Sequence, residues 1–254
     1  MGKIVVIANQ KGGVGKTTTA INLASSLAVM EKRVLIIDID PQANASSGLG
    51  IEPSKAAHTI YDVLLEKVPY KKAVQKTFLE FLDIIPADQD LVGAEIEMVN
   101  IMSRETRLRK VIKNSRNEYE YIFIDCPPSL NLLTVNSFTA GDSVLIPIQC
   151  EYFALEGLTQ LLNTIRLIQK NLNPGLDLEG IILTMYDSRL NLSKLVAEEV
   201  RKYFGDKVYK TIISRNVRLG EAPSYGQPII SFDIHSSGAM NYMKLAEEFL
   251  HGKE

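Results

Sequence analysis

Tryptophan is absent from the 254 residues, and cysteine occurs only twice. Two cysteines are too few for a disulfide framework or a zinc site. Cys126 and Cys150 each follow an apolar, strand-like run and are read as buried free thiols. The three histidines, His58, His235 and His251, lack metal-ligand spacing and a nucleophile to activate. No run of about eighteen apolar residues occurs, which excludes a transmembrane helix of the usual kind. Neither charge sign dominates: 28 basic against 30 acidic residues leave a net charge of −2. Such a chain is not an overtly basic nucleic-acid binder, so any DNA role requires a local basic face. Internal repeats and low-complexity linkers are also missing. The chain enters a strand by Lys3-Ile4, leaving no room for a signal peptide, and a cytoplasmic location is expected.

What is present is an ordinary soluble composition, 46% hydrophobic and 23% charged, at a length that suits a single α/β domain spanning residues 1–254. Apolar, β-branched runs predict strands at Lys3–Ala8, Arg33–Asp38, Leu82–Pro86, Tyr121–Asp125, Ser143–Ile148, Gly180–Tyr186, Val208–Ile213 and Ile229–Phe232. Several lack polar alternation, as strands covered on both faces do. Helical spacing fills 17–30, 106–115, 155–171, 191–204 and 238–250. The segment 48–69 is weakly patterned and is read as a peripheral insertion. Alternation of this kind predicts a mostly parallel, twisted sheet of about eight strands with helices on both faces.

The first strand runs into Asn9-Gln-Lys-Gly-Gly-Val-Gly-Lys-Thr-Thr18, and a helical stretch follows. Strand, glycine-rich turn and helix form a phosphate cradle. Gly12, Gly13, Val14 and Gly15 supply inward-facing N–H groups, and the helix adds its positive end. Lys16 is placed to reach β- and γ-phosphates, Thr17 to ligate Mg²⁺, and Thr18 to continue the cradle. The second strand ends Asp38-Ile-Asp40-Pro-Gln, where a carboxylate beside a phosphate loop can hold a metal or orient water. Asp40 is favoured for that role; Asp38 is the weaker candidate, with hydrogen bonding to the loop as its alternative. The run Tyr121-Ile-Phe-Ile-Asp125 is a Walker B pattern, with Asp125 holding Mg²⁺ through water; Pro127-Pro128 stiffens the switch-like segment that follows.

The usual phosphate-loop pattern has a glycine at the position of Gln10 and no lysine at that of Lys11. This departure resembles the deviant Walker A motif of the ParA/MinD family of P-loop ATPases, and the similarity extends from Lys3 to the final helix, nearest to the short chromosomal branch. The resemblance implies that Lys11 crosses an ATP-sandwiched homodimer to the partner's phosphates and that Asp40 positions the attacking water. Met185, Arg215 and Asn216 would lie near the adenine, although Met185-Tyr-Asp187 stands where many relatives carry an asparagine. Arg189 and Arg218 would meet double-stranded DNA on a non-specific, phosphate-directed surface. ATP and Mg²⁺ are the implied cofactors and a ParB-like activator the implied partner, with no helix-turn-helix domain expected. The alternative is a MinD-like membrane-associated ATPase, which needs a basic amphipathic C-terminal helix. The tail from Tyr242 to Glu254 carries three glutamates and reads instead as a packed helix. A relative of the nitrogenase iron protein, which bridges a cluster with paired cysteines, is disfavoured by the surroundings of Cys126 and Cys150.

Overall fold

The computed structural model describes residues 1–151 and 154–252. The tail residues Lys253 and Glu254 lie outside that range. Eight strands form one sheet: β1 (Lys3–Ile7), β2 (Val34–Asp38), β3 (Gln75–Lys76), β4 (Leu82–Ile85), β5 (Tyr121–Asp125), β6 (Ser143–Gln149), β7 (Asp177–Tyr186) and β8 (Val208–Ser214). Their order is β3-β4-β2-β5-β1-β6-β7-β8, and every pairing is parallel except that of the two-residue β3 with β4.

Side chains alternate across each strand, so one strand feeds two cores. Ile4 and Val6 of β1 join Ile122, Ile124, Val144 and Ile146 in a layer completed by the helices Leu132–Ala140, Ala154–Asn171 and Asn191–Phe204. Val5 and Ile7 face the opposite layer with Phe123 and Leu145, under the helices Lys16–Val29 and Ser237–His251. The apolar spacing of 155–168 is core, as its sequence implies: Leu158, Leu161, Ile165 and Ile168 are buried.

Three expectations are corrected. Ile229–Phe232 is a helical turn rather than a strand. Pro228 fixes its entry, and Phe232 N–H donates to Pro228 C=O at 3.0 Å while Ile229 N–H donates to the Asn22 side chain at 2.7 Å. The eighth strand is instead Gln75–Lys76. The helix expected over 106–115 is shorter, running over Arg107–Val111 before a tighter turn at Lys113–Asn117; Asn136 holds its start, its Oδ1 accepting from Leu108 N–H at 3.1 Å and its Nδ2 donating to Arg104 C=O at 2.9 Å. Finally, 48–69 is no peripheral insertion. Its helix Ile60–Leu64 begins at a Thr59/Asp62 capping box and buries Ile60, Val63 and Leu64 in the core. Among the unforeseen helices the longest are Leu91–Glu97 and Leu132–Ala140.

Pro147 lies inside a central strand, where a missing N–H ordinarily breaks the ladder. Here the pairing of β1 with β6 ends at Ile7 and Leu145. Beyond it the Asn9 side chain replaces a strand, donating to Pro147 C=O at 2.7 Å and accepting from Lys11 N–H at 3.0 Å. Thus the end of β1 is pinned to β6 where the glycine-rich loop begins. At the far edge, β8 has a neighbour on one side only. The last helix caps the other: Glu248 accepts from Lys210 and Thr211 N–H at 2.6 and 2.9 Å, and Asn241 accepts from Ser214 N–H at 3.1 Å.

Gly50 and Gly226 meet backbone to backbone, joining the chain after β2 to the chain after β8. Both have positive φ, 76° and 65°, and a Cβ on Gly226 would stand 2.7 Å from Gly50 Cα. Gly226→Ala therefore combines left-handed strain with a clash that no side chain can relieve. It is expected to lower unfolding stability by about 1–3 kcal/mol, read from the midpoint of a denaturant titration.

Candidate functional site

The carboxyl ends of the central strands converge on a cavity of about 600 Å³, lined by Gly12, Gly13, Gly15, Lys16, Thr17 and Thr18 from the loop, and by Asp40, Pro128, Met185 and Pro223 from later segments. Ligands bind outside the carboxyl ends of strands in open parallel sheets, and the volume is that of a small-molecule site. Gly15 starts the helix Lys16–Val29 from the left-handed region, φ 87°, which turns the chain sharply off β1. The loop is fastened from behind by Thr184, whose hydroxyl donates to Val14 C=O at 2.8 Å. Gly12 faces open space, with nothing within 4 Å of where a Cβ would stand.

Lys16 is buried, and its ammonium donates to Lys11 C=O at 3.1 Å. Burial lowers its pKa, while Asp125 foremost, with Cys126 and Asp40, pulls the other way. Beneath it, Asp38 and Asp125 are register neighbours on β2 and β5. Asp38 is held by Ser46, whose N–H and hydroxyl donate to it at 2.9 and 2.7 Å, and its pKa is raised by burial to about 6. It does not bond the phosphate loop, as its sequence position suggested. Asp125 differs. Both its oxygens are buried without a hydrogen-bond partner among the described residues. The Thr17 hydroxyl lies against it and favours the charged form, short of hydrogen-bond geometry. Burial first, then the neighbouring Asp38, push its pKa well up. An unsatisfied buried carboxylate beside a threonine hydroxyl is a donor set that a hard, oxygen-preferring cation fits. Asp40 lines the same cavity and accepts from Gln42 N–H at 3.0 Å.

A second cavity, of about 240 Å³, opens between the ends of β7 and β8 and is lined by Met185, Arg215, Asn216, Thr18 and Tyr242 among others. The three residues expected near the base are thus brought together. Met185 holds φ 51°, a left-handed conformation uncommon for a side chain of its size. Asn216 spends most of its polar capacity on the fold, accepting from Arg218 N–H at 2.8 Å and donating to Ser237 at 2.7 Å. Lys11 reaches away from the cavity to Glu151, at 2.5 Å. Each arginine expected at DNA carries its own counter-charge. Arg189 grips Asp187 through two bonds of 2.9 and 2.7 Å, and Arg218 pairs with Glu221 at 2.9 Å and Asp233 at 3.6 Å. Both side chains remain solvent-facing, at 84% and 56%. Cys126 and Cys150 are free and buried as expected, and burial raises their thiols to about 12 and about 11, out of the reactive range.

Sequence reasoning missed Ser46, Thr184 and Glu151. Each acts on a site residue from a distant or unpatterned position, and no spacing rule marks them.

Comparison with known proteins agrees with this geometry. The AAA domain family matches residues 2–178. The chain is 58% identical over 248 residues to the sporulation initiation inhibitor protein Soj of Bacillus subtilis, covering 98% of both chains. It is 54% identical to the chromosome partitioning protein ParA of Caulobacter vibrioides, covering 98% of this chain and 94% of that one. Among solved structures, the cell division ATPase MinD of Pyrococcus furiosus superposes with a TM-score of 0.81 at 28% identity, covering 98% and 99% of the two chains. Cobyrinic acid a,c-diamide synthase from Mycobacterium smegmatis, solved with an ATP analogue and magnesium, gives 0.86 at 34% identity, covering 98% and 95%.

The unsatisfied state of Asp125 has a consequence for stability. A carboxyl whose folded pKa is raised costs nothing below the ordinary carboxylate range and destabilises increasingly as pH climbs through the folded value. Asp125→Asn removes that ionisation. In the ligand-free protein the variant is expected to gain in melting temperature over the parent, with a gap that is small near pH 4 and widens toward pH 8. A gap independent of pH in thermal scans would contradict the electrostatic account.

Proposed function

The chain belongs to the ParA/MinD family of P-loop ATPases, and from that membership we propose that it is the ATPase of a chromosome-partitioning system, switching between states by binding and hydrolysing ATP. The observation that carries this reading is the pairing of Lys16 and Thr17, at the positive end of a helix, with the donor-free Asp125 below them. That arrangement is an anion cradle set over oxygen ligands that fit a hard cation.

In this reading the loop N–H groups and Lys16 hold the phosphates of ATP, and Thr17 and Asp125 hold Mg²⁺, which neutralises charge on the β- and γ-phosphates when bound. Asp40, ringed by the cavity and fixed by the Gln42 N–H, orients the water that attacks the γ-phosphorus. Phosphoryl transfer asks little covalent chemistry of the protein, so positioning and charge carry the catalysis. Two protomers close face to face over the nucleotides, with each Lys11 crossing to its partner's phosphates.

DNA is held by the closed pair. Arg189 and Arg218 follow the ends of the neighbouring strands β7 and β8, and their solvent-facing guanidinium groups are open to DNA phosphates that exchange for the carboxylates. One protomer grips weakly, whereas two presented together gain by avidity. A ParB-like activator then stimulates hydrolysis and the pair opens. The MinD-like alternative has less support. The last helix, where a membrane-binding face would be needed, instead buries Ala239, Tyr242, Leu245 and Ala246 in the core.

The test is DNA affinity against salt with ADP, ATP and a non-hydrolysable analogue. Four arginine contacts per pair give a slope of log affinity on log salt of roughly −3 to −4, seen only in the triphosphate states. Equal affinity with ADP would overturn the switch. Asp40→Ala is expected to keep analogue-induced dimers while hydrolysis falls by a factor on the order of a hundred or more, measured by phosphate release. A Cβ at Gly12 has nothing within 4 Å, so Gly12→Val is expected to change the monomer's stability little. It is expected to remain monomeric with ATP in sedimentation velocity, by crowding the partner face.

A further inference from the structure

Every polar group of Lys11 is engaged within its own protomer. Its N–H donates to Asn9 Oδ1 at 3.0 Å, and its carbonyl accepts from the Lys16 ammonium at 3.1 Å. Its own ammonium lies 2.5 Å from Glu151 Oε2. The second oxygen of that carboxylate is also occupied, accepting from Gln149 Nε2 at 2.5 Å. The backbone of Glu151 is fixed in turn, its N–H on Gln149 C=O at 2.8 Å and its carbonyl accepting from Ala154 N–H at 3.0 Å, where the next helix begins. Asn9 and Glu151 both anchor to the carboxyl end of β6, through Pro147 and Gln149. Lys11 is therefore folded back on its own sheet by two ties from one strand.

We infer that Glu151, braced by Gln149, is a positioning residue that parks the Lys11 ammonium in cis and sets the threshold at which ATP assembles the pair. The inference rests on the crossing role of Lys11 proposed above. The two lysines are coupled through one carbonyl. A phosphate entering the cradle attracts the Lys16 ammonium and draws it off Lys11 C=O, which frees the loop at residue 11. What then remains is the ion pair with Glu151, whose side chains are 39% and 46% exposed. A pair so exposed is weak enough for a partner's triphosphate to replace, yet it must be broken once in each protomer. Glu151 thus opposes assembly without touching the bound nucleotide of its own site, and it does so most when the cradle is empty.

A pair of this exposure corresponds to a factor of about two to five, so its loss from both protomers shifts the assembly constant by roughly four- to twenty-five-fold. Glu151→Gln keeps the shape and removes the charge. With a non-hydrolysable ATP analogue it is expected to dimerise at a protein concentration lower by that factor in sedimentation velocity, and Glu151→Asp to restore part of the threshold. The direct readout is acylation of Lys11 by an amine-reactive reagent, followed by mass spectrometry. In nucleotide-free protein, labelling of Lys11 relative to Lys244 rises in Glu151→Gln and, less, in Gln149→Ala. Equal labelling in parent and variants would overturn the latch, as would an unchanged or raised dimerisation threshold in Glu151→Gln. A parent that stays monomeric with the analogue would refute the sandwich itself, and labelling alone would then decide whether Glu151 parks the lysine.

Discussion

Everything at the site depends on a carboxyl group that the fold buries and leaves without a hydrogen-bond donor. Asp125 ends a central strand, with β1 on one side and β2 on the other, and Asp38 stands beside it in register. Asp38 is satisfied by Ser46, whereas Asp125 is left without a donor. Unsatisfied buried carboxylates are costly, so the empty protein stores unfavourable electrostatics where a cation and a polyphosphate are to sit. Lys16 supplies part of the compensation, though its own burial limits how fully it stays charged. Ligand binding then completes the structure, and the same groups that destabilise the empty state supply affinity and orientation in the filled one.

The surrounding elements keep that cost in place. Asn9 couples the end of β1 to β6, Thr184 braces Val14, and the Gly50–Gly226 contact closes the far wall. Each is a long-range tie between segments that belong to or follow different strands. The cradle is consequently preorganised: its position is set by the sheet, whose residues are buried on both faces, and little of it waits on the ligand. Lys11 is the exception, because its ties are to side chains and to a partner lysine that the ligand itself recruits.

Much of this was legible in the sequence, for identifiable reasons. Seven of the strands announce themselves because a parallel sheet covered on both faces needs uninterrupted Val, Ile and Leu. Ile229–Phe232 was misread because four apolar residues fit a buried strand and a buried helical turn equally well, and Pro228 decides between them only in context. The helix Leu132–Ala140 hid behind β-branched and small polar residues, although Asn131, which caps it by accepting from Thr134 N–H at 3.2 Å, was a usable start signal. Phosphate-loop residues were readable because their spacing is local. Ser46 and Glu151 were not, since what they hold lies eight and 140 positions away and depends on how strands are ordered. The counter-charges of Arg189 and Arg218 were hidden on the same ground: Asp187, Glu221 and Asp233 pair with them through turns and helix geometry that no charge count reveals.

The capping of β8 by Glu248 and Asn241 bears on how the molecule stays apart from its own kind. An uncovered outer strand is a template on which another chain can lay down a further strand, and seven residues is ample length for that. Here the last helix occupies the strand's free amides with side-chain acceptors. Fibre-like growth along the sheet is thereby closed off, and self-association is steered away from the sheet margin. Shortening the protein before Asn241 would reopen that margin and turn a regulated particle into an aggregating one.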